Sequence, residues 1–190
     1  MLERTQFVDD LIGNPVIAAV RSRQMLEQAL LSPVKTVFLL AGSINDIDEM
    51  CRQVRSSGRH CFIHVDLLEG LRADQQGLAY LARQADPTGI LTTKPTCVKW
   101  AQSLGLLTVQ RIFLLDSTAL QEGARHIEAC QPDLVEILPG VADKAIRLAA
   151  AKFGRPLIAG GLIDTREEVF AALAAGALAI SASNPQLWML

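Results

Sequence analysis

Apolar residues along this chain fall into two alternating rhythms. Short continuous apolar runs read as strands: Val16–Val20, Val37–Ala41, Cys61–Val65, Gly89–Leu91, Leu107–Phe113, Leu134–Leu138, Leu157–Gly160 and Leu178–Ser181. Between them the spacing changes to i, i+3, i+4, the mark of an amphipathic helix. Ile47, Met50, Cys51 and Val54 share one face, as do Val98, Ala101 and Leu104, and Val169, Phe170, Leu173 and Ala174. Met25 to Leu30, Leu78 to Ala82, Ala119 to Ile127 and Ala145 to Ala149 repeat the pattern.

Punctuation supports the division. Asp46, Asp116 and Ser117 stand where helix caps are wanted, and Thr165 with Glu168 spells a capping box. Gly58, Gly105, Gly154 and Gly176 follow helix ends, where a left-handed residue closes the last turn. Strands apolar on both faces and separated by helices predict a parallel sheet. Eight such units predict a closed, compact (β/α)8 TIM barrel, with an open doubly wound sheet as the alternative. At 190 residues the barrel needs short loops and helices throughout, because the usual barrel has about 250. No linker or repeat divides the chain, so residues 1–190 are expected to form a single domain.

Composition narrows the function classes. Half the residues are hydrophobic and 20% are charged, which excludes intrinsic disorder. Lys and Arg number 18 against 20 Asp and Glu, a net charge of −2, so overall basic charge cannot drive nucleic-acid binding. A local patch of Arg52, Arg55, Arg59 and His60 remains as a faint basic feature. Cys51, Cys61, Cys97 and Cys130 form no metal or redox spacing and read as reduced thiols. The first residues do not resemble a signal peptide, and the Val169–Ile180 stretch is too short to span a bilayer. A soluble cytoplasmic protein is the expectation.

In a barrel, ligands meet the loops after the strands. Those loops carry Arg21; Asp66 to Gly70; Thr92, Thr93 and Lys94; Asp116 and Ser117; Pro139 and Gly140; Gly160 and Gly161; and Ser183 and Asn184. Arg111 and Glu136 lie within strands, where a buried ion pair between them is one reading. Barrels often hold phosphate after strands seven and eight. Gly160 and Gly161 allow backbone N–H groups to approach an anion, and Ser183 and Asn184 add side-chain donors. A tight turn and a helix cap are the plainer reading of the same residues. His64 and Asp66 are two apart and would face one side of a strand. No metal spacing, nucleophile elbow or P-loop occurs, and no cofactor is expected.

The ordered set His64-Val65-Asp66-Leu67-Leu68-Glu69-Gly70, Gln110 to Ser117, Glu136-Ile137-Leu138-Pro139-Gly140, Ala159-Gly160-Gly161-Leu162-Ile163 and Ser181-Ala182-Ser183-Asn184 resembles the glycerol-3-phosphate responsive antiterminator family. The resemblance runs from about Pro15 to Trp188. It implies a TIM-barrel transcription regulator that senses glycerol 3-phosphate and acts on an mRNA leader in genes of glycerol metabolism. It implies phosphate at Gly160, Gly161, Ser183 and Asn184, with Asp66, Arg111 and Glu136 lining the pocket. Lys94 replaces the family's arginine, keeping the charge without the bidentate fork. Ala182 removes a hydroxyl. The rival reading is a phosphosugar aldolase or isomerase, with Lys94 as Schiff-base lysine and Glu136 or Asp66 as base. A third is a metabolite sensor that contacts a protein. A homo-oligomer is compatible with any of them.

Overall fold

The computed structural model describes residues 4–190. Eight parallel strands close on themselves in chain order: β1 (Val16–Val20), β2 (Thr36–Leu39), β3 (His60–His64), β4 (Gly89–Thr92), β5 (Leu107–Phe113), β6 (Leu134–Leu138), β7 (Leu157–Gly160) and β8 (Ala179–Ala182). The barrel closes through β1 on β8, where Ile17 pairs Ser181. Helix α1 (Arg4–Gly13) precedes β1. Between successive strands run α2 (Arg23–Leu31), α3 (Ile47–Ser56), α4 (Gln75–Gln84), α5 (Pro95–Ser103), α6 (Ser117–Cys130), α7 (Asp143–Phe153) and α8 (Arg166–Ala174). This is the expected (β/α)8 barrel, made compact by helices of 9 to 14 residues.

The apolar runs are buried on both faces because the sheet has an inside and an outside layer. Outward residues such as Val37, Ile63, Ile90 and Ile137 pack against the helices. Inward residues such as Ile17, Phe38, Phe62, Leu91, Val109 and Ile158 fill the barrel. Inward side chains of a barrel stack in layers of four drawn from alternate strands. Following the strand register round the barrel places Ile17, Phe62, Val109 and Ile158 in one layer. The next holds Phe38, Leu91, Glu136 and Ser181, and the one above holds Ala19, His64, Arg111 and Gly160. The change from apolar to polar layers sets the position of the site.

The two ends depart from the sequence reading. α1 has only two buried residues, Phe7 and Leu11, which is too weak a stripe to announce a helix. Both plug the barrel's N-terminal end, with Phe7 5.0 Å from the rings of both His60 and Phe62. At the other terminus, a 3₁₀ turn over Pro185–Met189 stands where another barrel helix would be. Trp188 is buried there and donates to the Ala182 carbonyl at 2.8 Å.

Other local readings sort by geometry. The Thr165–Glu168 capping box forms, and Asp116 caps α6 through the Ala119 amide. Gly58, Gly105, Gly154 and Gly176 all have positive φ. Asp46 sits at the start of α3 without capping it, because its carboxylate accepts from Ser43 instead. β3 stops at His64, and Val65–Leu67 turn as a 3₁₀ segment, so Asp66 leaves the strand rather than sharing a face with His64.

Candidate functional site

At the C-terminal ends of β5, β6 and β8, three polar residues form a buried chain. Arg111 Nε donates to Glu136 Oε2 at 2.6 Å, and Ser181 Oγ donates to Glu136 Oε1 at 2.6 Å. Glu136 is fully buried and Arg111 is 8% exposed. An unpaired charge at this depth would be costly, so each ion is tenable only because of the other. Gly160 leaves room for this chain. A Cβ there would lie 2.5 Å from Ser181 Oγ and 2.6 Å from Glu136 Oε1.

Above the chain opens a cleft of about 450 Å³, within the range of small-ligand pockets. Its walls include Arg21, Arg111, Glu136, Gly161, Ser183 and Asn184. Gly161 has φ +77°, a conformation that suits glycine, and this turns the β7–α8 loop along the cleft. Asn184 is spent on architecture. Its Nδ2 donates to Asp164 Oδ1 at 2.9 Å and to the Asp164 carbonyl at 3.1 Å, and its Oδ1 accepts from the Gln186 amide at 3.0 Å. It ties together the two loops that form the wall.

The expected site residues therefore divide. Gly161, Ser183, Asn184, Arg111 and Glu136 meet at one cleft. Gly160 sits below it, making space for the Ser181–Glu136 bond while its carbonyl accepts from the Gly140 amide at 2.6 Å. Asp66 and Lys94 lie across the mouth at the ends of β3 and β4, outside the cleft lining. Asp66 accepts from Thr92 Oγ1 at 3.0 Å, the Thr93 amide at 2.7 Å and Thr93 Oγ1 at 2.9 Å, and Lys94 Nζ is 3.8 Å away.

One cleft residue was passed over as a site member, and a buried histidine lies nearby outside the cleft lining. Arg21, at the end of β1, lines the cleft and has no ion-pair partner among the described residues, whereas Arg23 is paired with Asp46 and Glu49. Its signal was its place directly after a strand. His64 lies in the same inward layer as Arg111, 3% exposed. Burial and the positive charge of Arg111 push its pKa down to about 4, so the imidazole is neutral at physiological pH.

A larger hollow of about 570 Å³, lined by Arg55, Arg59, His60 and Thr88, lies at the opposite end of the barrel. Its polar groups are already engaged. Arg59 donates to the carbonyls of Leu30, Ser32 and Val34, His60 bonds Asp10, and Arg55 pairs with Asp86. Arg52 pairs with Asp48 at 3.4 Å. The basic patch read from the sequence is thus largely neutralised. Among the described residues no cluster of His, Cys, Asp and Glu could hold a metal ion, and no helix is long and apolar enough to cross a membrane.

The model of the glycerol-3-phosphate responsive antiterminator family matches residues 16–188, the whole barrel and its final turn. The chain belongs to this family. Antitermination is a regulation of transcription, and the family's description makes glycerol 3-phosphate the signal to which its members respond. The chain is 34% identical over 177 residues to YgcP, an uncharacterised protein of Escherichia coli (strain K12), with 93% of each chain covered. A crystal structure of the glycerol uptake operon antiterminator regulatory protein from Listeria monocytogenes is 31% identical, with a TM-score of 0.87, covering 91% of this chain and 94% of that one. A glycerol uptake operon antiterminator-related protein from Thermotoga maritima is 32% identical, with a TM-score of 0.82, covering 93% of this chain and 99% of that one.

Proposed function

We propose that this protein is a cytoplasmic sensor of glycerol 3-phosphate that binds the leader of an mRNA and lets transcription of glycerol-metabolism genes pass a terminator. The observation that carries the reading is a cleft with two arginines, one buried and one without a carboxylate partner among the described residues, at the mouth of a barrel of the antiterminator family. The phosphate lies against the Gly161 backbone and Ser183, with Arg21 and Arg111 supplying positive charge. Asn184 holds the wall, Gly160 makes room beneath it, and Glu136 fixes the Arg111 guanidinium. Asp66 and Lys94 form the far rim of the mouth, engaged with Thr92, Thr93 and each other.

Ligand changes RNA affinity only by binding one conformation or oligomer more tightly than another. A homo-oligomer in which ligand shifts the assembly is one such arrangement. The aldolase reading has less support. A Schiff-base lysine is activated by desolvation or a neighbouring cation. The Lys94 side chain is 54% exposed and stands beside a carboxylate.

Calorimetry with glycerol 3-phosphate, and with glycerol and inorganic phosphate as controls, tests the proposal. Saturable binding that needs both halves of the ligand is expected. Arg21→Gln should weaken it about tenfold or more, since a charge-assisted contact is lost. Leader-RNA binding should then change when the ligand is added. Absence of saturable glycerol 3-phosphate binding overturns the sensor reading, and RNA binding indifferent to a bound ligand overturns the antiterminator mechanism.

A further inference from the structure

An arginine paired with a carboxylate often forms a fork, with two parallel N–H···O bonds from one guanidinium. The buried pair in this barrel is built differently. Arg111 gives Glu136 a single bond, from Nε to Oε2 at 2.6 Å. The other carboxylate oxygen is taken by Ser181 Oγ, also at 2.6 Å. Glu136 is fully buried, so both of its oxygens have to be satisfied from within the protein, and these two donors do it.

The consequence falls on Arg111. Its Nη1 and Nη2 make no hydrogen bond among the described residues. Neither nitrogen is sealed away, because the single buried side-chain nitrogen or oxygen without a partner among these residues is His64 Nδ1. Arg111 is 8% exposed and lines the cleft, so the surface that its Nη edge keeps is surface of the cleft. The guanidinium is anchored through Nε, and its remaining donors are left for what the cleft holds.

This arrangement depends on the serine. β8 pairs with β7 and β1, and the register sets Ser181 beside Gly160 and Ile17, in the layer of Glu136. Gly160 has no side chain to press on the Ser181–Glu136 bond. Without the Ser181 hydroxyl, Glu136 Oε1 would lack a donor at full burial, a costly state for a charged oxygen. The guanidinium already bonded to the other oxygen has the donor to replace it, by closing the fork. Its Nη edge would then be spent on Glu136.

We infer that Ser181 is a positioning residue: by occupying Glu136 Oε1 it keeps Arg111 from clasping the carboxylate with both arms, and so holds the Nη edge open to the anionic end of the ligand. The inference rests on the reading of the cleft as a site for glycerol 3-phosphate. Ser181 acts through Glu136 and Arg111, without itself contacting the ligand.

The test combines calorimetry, melting and a structure. Wild type, Ser181→Ala and Ser181→Thr are titrated with glycerol 3-phosphate and with inorganic phosphate, and the crystal structure of Ser181→Ala is determined without ligand. Ser181→Ala is expected to bind glycerol 3-phosphate about tenfold more weakly, the effect of one charge-assisted bond. Its melting temperature should stay within about 3 °C of wild type, because the closed fork replaces the lost bond. Its structure should show two bonds from the Arg111 guanidinium to Glu136. Ser181→Thr keeps the hydroxyl and should bind within about threefold of wild type. A serine with a purely structural role would lower the melting temperature and leave the affinity of the folded protein intact. Unchanged affinity in Ser181→Ala, weaker binding with the guanidinium still held through Nε alone, or failure of this variant to fold overturns the role of Ser181 and leaves the phosphate site standing. A wild type that binds inorganic phosphate as well as glycerol 3-phosphate overturns the reading of the ligand, and the Ser181 comparison is then decided on phosphate. A wild type that binds neither overturns the site and this inference together.

Discussion

The two sides of the barrel mouth carry similar polar residues and use them in opposite ways. On the β3–β4 side, Asp66 gathers Thr92, Thr93 and Lys94 about itself. Each of these four residues has a local partner. On the side built by β1, β5, β6 and β8, the carboxylate of Glu136 is consumed below by Arg111 and Ser181, and the guanidinium of Arg21 has no carboxylate partner among the described residues. A closed network stabilises its own loops. An open one keeps hydrogen-bonding capacity for a ligand. The difference teaches that a polar residue at a strand end is a binding candidate only once its local bonds have been counted.

The comparison breaks most visibly at Glu136. Glu136→Ala should cost about 3–5 kcal/mol in urea unfolding, since it strands the Arg111 charge in the barrel. Replacing both partners by apolar residues should recover much of that loss while ligand binding stays absent. A small cost for the single variant would mean that water reaches the pair and the network is not closed from below.

His64, buried in the same layer as Arg111, adds a test through pH. Its folded pKa lies at about 4, below its ordinary 6.5. The unfolded chain therefore takes up a proton first, and stability falls as pH drops from 6.5 toward 4. Integrated over that window the loss is about 3 kcal/mol. Unfolding of wild type and His64→Leu at pH 7 and at pH 4.5 should show a steeper acid loss in wild type; parallel losses would contradict the burial of a neutral ring.

Across the mouth the expected effects are smaller and confined to stability. Asp66→Ala frees the Thr92 and Thr93 donors and should cost about 1–3 kcal/mol, with glycerol 3-phosphate affinity little changed. Lys94→Ala should change stability by no more than about 0.5 kcal/mol, because its 3.8 Å pair is half exposed. A large loss of ligand affinity in either variant would erase the distinction between the two sides.

Most of the fold was legible because its rules are local. Apolar runs of four to seven residues, caps such as Thr165 and turns such as Gly154 are satisfied within a few residues of themselves. α1 escaped notice because its two core residues are buried inside the barrel, in a layer built by distant strands. At the site, Arg111 and Glu136 were legible as a pair, while the tying of Asp66 to Thr92 and Thr93, 26 and 27 positions on, was not. Arg21 was visible only as a charge after a strand.

The sequence by itself determined the alternation of strands and helices, the barrel that eight such units imply, and the family whose motifs it carries. Tertiary structure decided which strand-end residues are spent and which are open. That choice depends on the register around a closed sheet, which sets His64, Arg111, Ala19 and Gly160 at one height. Hydrogen bonding between residues 25 to 45 positions apart has no periodicity for a sequence to display.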